Sequence, residues 1–79
     1  MSNKEKYVQA YVAAFSLEES AVNNDLKYNE IPEWDSIGHM ALMAELEDAF
    51  GISMETDDIV EFADYTKGIE ILAKYGVQI

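Results

Sequence analysis

Apolar residues return at helical spacing near the start of the chain. From about Asn3 to Phe15, Tyr7, Val8, Tyr11, Val12, Ala14 and Phe15 recur every three or four positions, with Lys4, Glu5, Lys6 and Gln9 between them. That period predicts an amphipathic helix with one buried face. The next twenty residues, "SLEESAVNNDLKYNEIPEWD", lose the period and collect Ser, Asn, Asp and the only proline. They read as a long loop with one short turn, pinned by buried Val22, Leu26 and Ile31. A loop of that length in so small a domain usually has a purpose.

The clearest helical pattern is "DSIGHMALMAELEDAFG". Asp35 suits its N-cap and Gly51 its C-terminal stop. A short third helix is expected after Thr56, whose side chain can cap "DDIVEF" with two aspartates at the positive end of the dipole. A fourth is expected after Thr66, running through "KGIEILAKY" to Gly76 with Lys74 in its last turn. No stretch alternates convincingly enough for a strand, and the final "VQI" carries no clear signal. The expected fold is all-α: a four-helix bundle with a long first loop and a short third helix.

Unrolling the second helix at about 100° per residue separates two faces. His39, Leu42, Met43, Leu46 and Phe50 cluster on one side as its core stripe. Ile37, Met40, Ala44, Glu47 and Asp48 lie on the other, the general face of Ser36. An apolar strip edged by carboxylates beside a serine reads as a docking surface. Gly38, in the first turn, costs roughly 1 kcal/mol of helix propensity against alanine. It either loosens the helix start or lets a partner approach closely.

Length and charge narrow the picture. Seventy-nine residues make a single domain, 1–79, with one small core. The absence of cysteine removes disulfides, thiolate metal sites and a cysteine nucleophile. The first fifteen residues lack a continuous apolar run of signal-peptide length, and no segment approaches a membrane span. A soluble cytoplasmic monomer is the expectation. Five lysines and sixteen acids give a net charge of -11, concentrated in residues 18–61, where thirteen acids face only Lys27. Such a surface repels nucleic-acid phosphates and anionic lipid, and it steers toward basic patches on protein partners. Solubility alone would also account for an acidic surface.

The stretch "IPEWDSIGHM" holds the chain's only proline, tryptophan and histidine around Ser36. Three chemistries suit that serine. It can cap the helix, although Asp35 competes for the role and leaves Ser36 in the first turn with its hydroxyl outward. It can be a nucleophile, since His39 is three positions on. A hydrolase, however, needs a group to orient the histidine, an oxyanion hole and a substrate pocket, and there is no G-x-S-x-G elbow. It can also be an attachment point. A phosphate ester there sits beside unpaired backbone N–H groups at the positive end of a helix, and a separate transferase removes the need for a local base. A calcium loop is unsupported: "DLKYNEIPEW" has lysine and tyrosine at ligand positions and no glycine at the turn.

The stretch "WDSIGHMALMAELEDAFGI" resembles the modification site of the acyl carrier protein family, with its D-S-[L/I/M] signature and a helix ending E-x-x-F-G/D-[I/V]. "SMETDDIVEFADYTKGIEIL" is similar to the family's continuation, and the likeness covers essentially the whole chain. The resemblance implies that Ser36 carries 4′-phosphopantetheine, added from coenzyme A by a magnesium-using phosphopantetheinyl transferase, with Asp35 the acid beside it in the motif. The arm's thiol would hold acyl groups as thioesters. The chain would then be no enzyme itself but a substrate of others in fatty acid, polyketide or related biosynthesis. Implied partners are an acyl-loading ligase or acyltransferase and condensing and modifying enzymes with basic patches. The core would double as a sheath for the acyl chain, entered between the second and third helices and lined by His39, Leu42, Met43, Leu46, Ile59 and Phe62.

One departure stands out. Carriers of housekeeping fatty acid synthesis usually place acids soon after the serine, whereas Gly38, His39, Met40 and Ala41 are uncharged and the next acid is Glu45. Docking near Ser36 should therefore lean on Ile37 and Met40. The "IPEWDS" lead-in is more similar to stand-alone carriers of specialised pathways. Two alternatives stay open: an aminoacyl or peptidyl carrier, and an acidic helical interaction module without an arm.

Overall fold

The computed structural model describes residues 2–79. Four α-helices follow in order: α1 (Asn3–Phe15), α2 (Ser36–Phe50), α3 (Thr56–Glu61) and α4 (Tyr65–Ala73). A single 3-10 turn, Glu19–Ala21, interrupts the long connection from α1 to α2. There is no β-strand among the described residues, so the fold is all-α, a small bundle of helices around one core.

The local signals explain where most helices begin and end. Ser2 and Glu5 form a capping box at α1: the Ser2 hydroxyl accepts from Glu5 N at 3.1 Å and the Glu5 carboxylate accepts from Ser2 N at 3.3 Å. At α2, Asp35 Oδ1 accepts from Gly38 N at 2.8 Å. Gly51 closes α2 at φ 63°, a left-handed conformation that a side chain disfavours. The other boundaries move. Thr56 is the first residue of α3 rather than its cap, and Glu55 precedes it with no side-chain cap bond. Helix α4 starts at Tyr65, capped by Asp64, whose carboxylate accepts from Lys67 N at 2.6 Å. It ends at Ala73, and Lys74 donates to Asp58 Oδ1 at 2.8 Å across to α3.

Aromatic rings are the largest fully buried side chains of the core. Tyr7, Tyr11 and Phe15 form the buried stripe of α1, joined by Trp34, Phe62, Tyr65 and the aliphatic Leu42, Leu46, Ile71 and Leu72. The Tyr7 hydroxyl donates to the Tyr65 carbonyl at 2.6 Å, so Tyr11 donates to Tyr7 at 2.8 Å. Burial pushes both phenols well above their ordinary range, so they hold their protons and serve as donors. Gly68 lets α4 approach α1 closely, because a Cβ there would collide with the Tyr7 hydroxyl and the Phe62 ring. Phe50, expected in the core stripe of α2, is only half-buried, with Lys6 Nζ lying 5.9 Å from its ring centroid.

Backbone hydrogen bonds hold the long connection against the α3–α4 junction. Tyr28 N donates to Ala63 O at 2.8 Å and Tyr65 N to Leu26 O at 2.9 Å. Lys27 and Asp64 thereby form an isolated antiparallel bridge. Val22 and Leu26 are buried and Ile31 is partly so. The C-terminal "VQI" also docks: Val77 is buried, and Asn3 Nδ2 donates to Gln78 O at 3.0 Å.

Candidate functional site

The site begins at the turn before α2. Trp34 N donates to Ile31 O at 3.1 Å, and the Trp34 carbonyl accepts from Asn29 N at 2.9 Å. The indole points inward and is fully buried. Asp35 then takes the cap position: its side chain accepts from Gly38 N and its carbonyl from His39 N at 2.8 Å. The two N–H groups ahead of them, on Ser36 and Ile37, donate nothing to Asp35. Ser36 is left as the first helical residue, its hydroxyl exposed and 3.3 Å from the Tyr28 hydroxyl.

Gly38 has a structural reason that the sequence did not disclose. A Cβ at this position would collide with the Glu33 carbonyl oxygen and come within 3.2 Å of the Phe15 ring. The turn that delivers Asp35 and Ser36 folds back over α2 at this point, and only glycine fits. The missing side chain thus serves an internal contact rather than a loose helix start.

His39 faces the core, as the helix phase indicated. Trp34 Nε1–H donates to Nδ1 at 2.9 Å, which places the ring proton on Nε2, where it is donated to Ile59 O at 2.7 Å. Both ring nitrogens are occupied, so the imidazole has no lone pair to offer Ser36 as a base. The bond to Ile59 also ties α2 to α3.

A cleft of about 420 Å³ opens beside Ser36 between the start of α2 and α3. His39, Ile59 and Phe62 are its more buried, inner lining, and Ser36, Tyr28, Met40, Val60 and Ala63 its exposed lining at the mouth. The lining contains no carboxylate and no lysine. Of the six residues expected to line an acyl pocket, His39, Ile59 and Phe62 reach this cleft. Leu42, Met43 and Leu46 do not, being at most 1% exposed within the core. Tyr28, Val60 and Ala63 were not foreseen. Val60 was within reach of the helical phase of "DDIVEF", but nothing local places Tyr28 opposite α3.

The expected docking strip divides. Ile37 is 82% exposed and Met40 55%, while Ala44 and Asp48 also face solvent. Glu47 is drawn back: its carboxylate accepts from Met54 N at 2.9 Å, holding the α2–α3 connection. Val60, 75% exposed, extends the apolar surface onto α3, between Asp57 and Glu61. The exposed apolar surface therefore spans two helices around Ser36, with acids flanking it on α3.

No family model matches the chain, and neither the curated proteins nor the solved structures compared with it provide a match.

Proposed function

We propose that this chain is a carrier protein whose Ser36 hydroxyl is the attachment point of a 4′-phosphopantetheine arm. The observation that carries the proposal is the division of labour at the start of α2. Asp35 caps the helix, so Ser36 is free of that role and stands exposed at the mouth of an apolar cleft. Occupation of both His39 nitrogens also argues against a serine–histidine hydrolase.

The residues present suit such a group. Ser36 would supply the ester oxygen and give up its proton as the pyrophosphate bond of coenzyme A breaks and 3′,5′-adenosine bisphosphate leaves. The first two N–H groups of α2 and the positive end of its dipole favour an anionic phosphodiester there. The Tyr28 hydroxyl, already beside Ser36 Oγ, is a further donor. When bound, the arm would supply a thiol that holds acyl groups as thioesters. The resemblance in the sequence adds a phosphopantetheinyl transferase, a loading enzyme and condensing enzymes as partners. Ile37, Met40 and Val60 would form the apolar part of their docking surface and the flanking acids its charged part.

Intact-mass measurement tests this reading. Apo-protein incubated with coenzyme A, magnesium and a broad-specificity transferase should gain one phosphopantetheinyl mass, and Ser36→Ala should gain none. No gain, or gain by Ser36→Ala, would overturn the proposal.

A further inference from the structure

The cleft beside Ser36 is bounded on its inner side by bonded aromatic side chains. Trp34 stacks on His39 with ring centroids 6.2 Å apart and planes 16° apart. Phe62 meets both rings, at 6.4 Å from Trp34 and 6.0 Å from His39. The hydrogen-bond relay from Trp34 through His39 to the Ile59 carbonyl closes the seam between α2 and α3 at this depth. A guest passing between the helices must part His39 from Ile59, leaving an N–H and a carbonyl without partners, and such groups are expensive to strand in a protein interior. Further along the same face of α2, Leu42, Met43 and Leu46 are closely packed, and a chain running that way has to displace them.

The outer side differs. Tyr28, Met40 and Val60 are all substantially exposed, and methionine adapts to irregular apolar shapes. Apart from the bonded His39 and Ile59 carbonyl on the inner side, the polar groups are the Ser36 and Tyr28 hydroxyls, which meet at 3.3 Å. An ammonium group finds no carboxylate in the lining.

Resting on the reading that Ser36 bears the arm, we infer that the cargo is a short, uncharged acyl group that lies in this open cleft and does not enter the bundle. The core is then not a sheath. Chain length is limited by the Trp34–His39–Ile59 relay, and no charged side chain lines the cleft to pair with a charged cargo, the acids of α3 lying outside the lining.

The test loads the wild-type chain with acetyl, butyryl and octanoyl arms from the corresponding acyl coenzyme A, confirms each by intact mass, and records methyl and imidazole NMR spectra. The expected result is that butyryl shifts the Met40 and Val60 methyl signals relative to acetyl. Lengthening to octanoyl should leave Leu42, Leu46 and the His39 ring signals where acetyl leaves them. Hydroxylamine should cleave the octanoyl thioester with no loss of reactivity relative to acetyl, each compared with its free pantetheine thioester. Octanoyl-dependent shifts at Leu42 and Leu46 together with protection from hydroxylamine would overturn the inference while leaving Ser36 as the attachment site. Absence of any mass gain would remove the carrier reading and this inference with it.

Discussion

Trp34 Nε1 and His39 Nδ1 lie 2.9 Å apart, and that hydrogen bond decides the tautomer of the only histidine. It also couples the turn before Ser36 to α3, because the other ring nitrogen reaches Ile59 O. Trp34→Phe removes the donor and part of a fully buried ring. Loss of about 2–4 kcal/mol of stability is expected from the stranded nitrogen and the cavity together. Urea unfolding measures the loss, and nitrogen-15 shifts of His39 should show Nδ1 losing its donor while the Ile59 carbonyl keeps the proton on Nε2. An unchanged Nδ1 shift would show that the indole does not bond to it.

Gly38 reverses the usual helix rule. Gly→Ala inside a helix ordinarily stabilises by up to about 1 kcal/mol. Here the added Cβ runs into the Glu33 carbonyl and crowds Phe15, so Gly38→Ala should destabilise by about 1–3 kcal/mol. A thermal midpoint above that of wild type would contradict the packing described around this turn.

Asp35 and Ser36 should separate cleanly. Asp35→Ala removes the cap and should cost about 1 kcal/mol. Ser36→Ala removes an exposed hydroxyl and its exposed 3.3 Å contact with the Tyr28 hydroxyl, and should stay within about 0.5 kcal/mol of wild type. Paired denaturant titrations check both. A larger loss at Ser36 than at Asp35 would return the serine to the role of cap and weaken the case for attachment.

Asp58 supplies the pH dependence. Hydrogen bonds from Lys74 and from the Tyr75 hydroxyl, the latter at 2.5 Å, hold its carboxyl below its ordinary value of 3.8. Between the unfolded and folded values the unfolded chain binds more protons than the folded one. The stabilisation is therefore complete above the ordinary carboxylate range and is lost as pH falls through the lower folded value. Lys74 is raised by the same pair, so its share is present below its ordinary value of 10.5 and fades as pH rises through its folded value. Asp58→Asn should flatten both limbs of the stability–pH profile. An acid limb as steep as that of wild type would assign the acid sensitivity to other carboxylates.

Much of the frame was legible in the chain alone, because helix phase and end signals are local. The periods of α1 and α2, Asp35 as cap, Gly51 as stop, the outward Ser36 and the inward His39 all follow from residues within a few positions of one another. The starts of α3 and α4 were less legible: Thr56 and Thr66 were expected to precede their helices, whereas Thr56 lies inside α3 and α4 is capped by Asp64, the residue that also bridges to Lys27. Tertiary structure alone decided what surrounds Ser36. Tyr28 reaches the cleft because its backbone bonds to Ala63, and Val60 because α3 is tied to His39. Gly38 is required by a turn that folds back over it, and Glu47 is withdrawn from the docking face by Met54 N. Sequence determined which residues turn toward the core, since that is set by the helical repeat. Which of them form the cleft, and how deep it runs, depended on contacts between segments that no local pattern encodes.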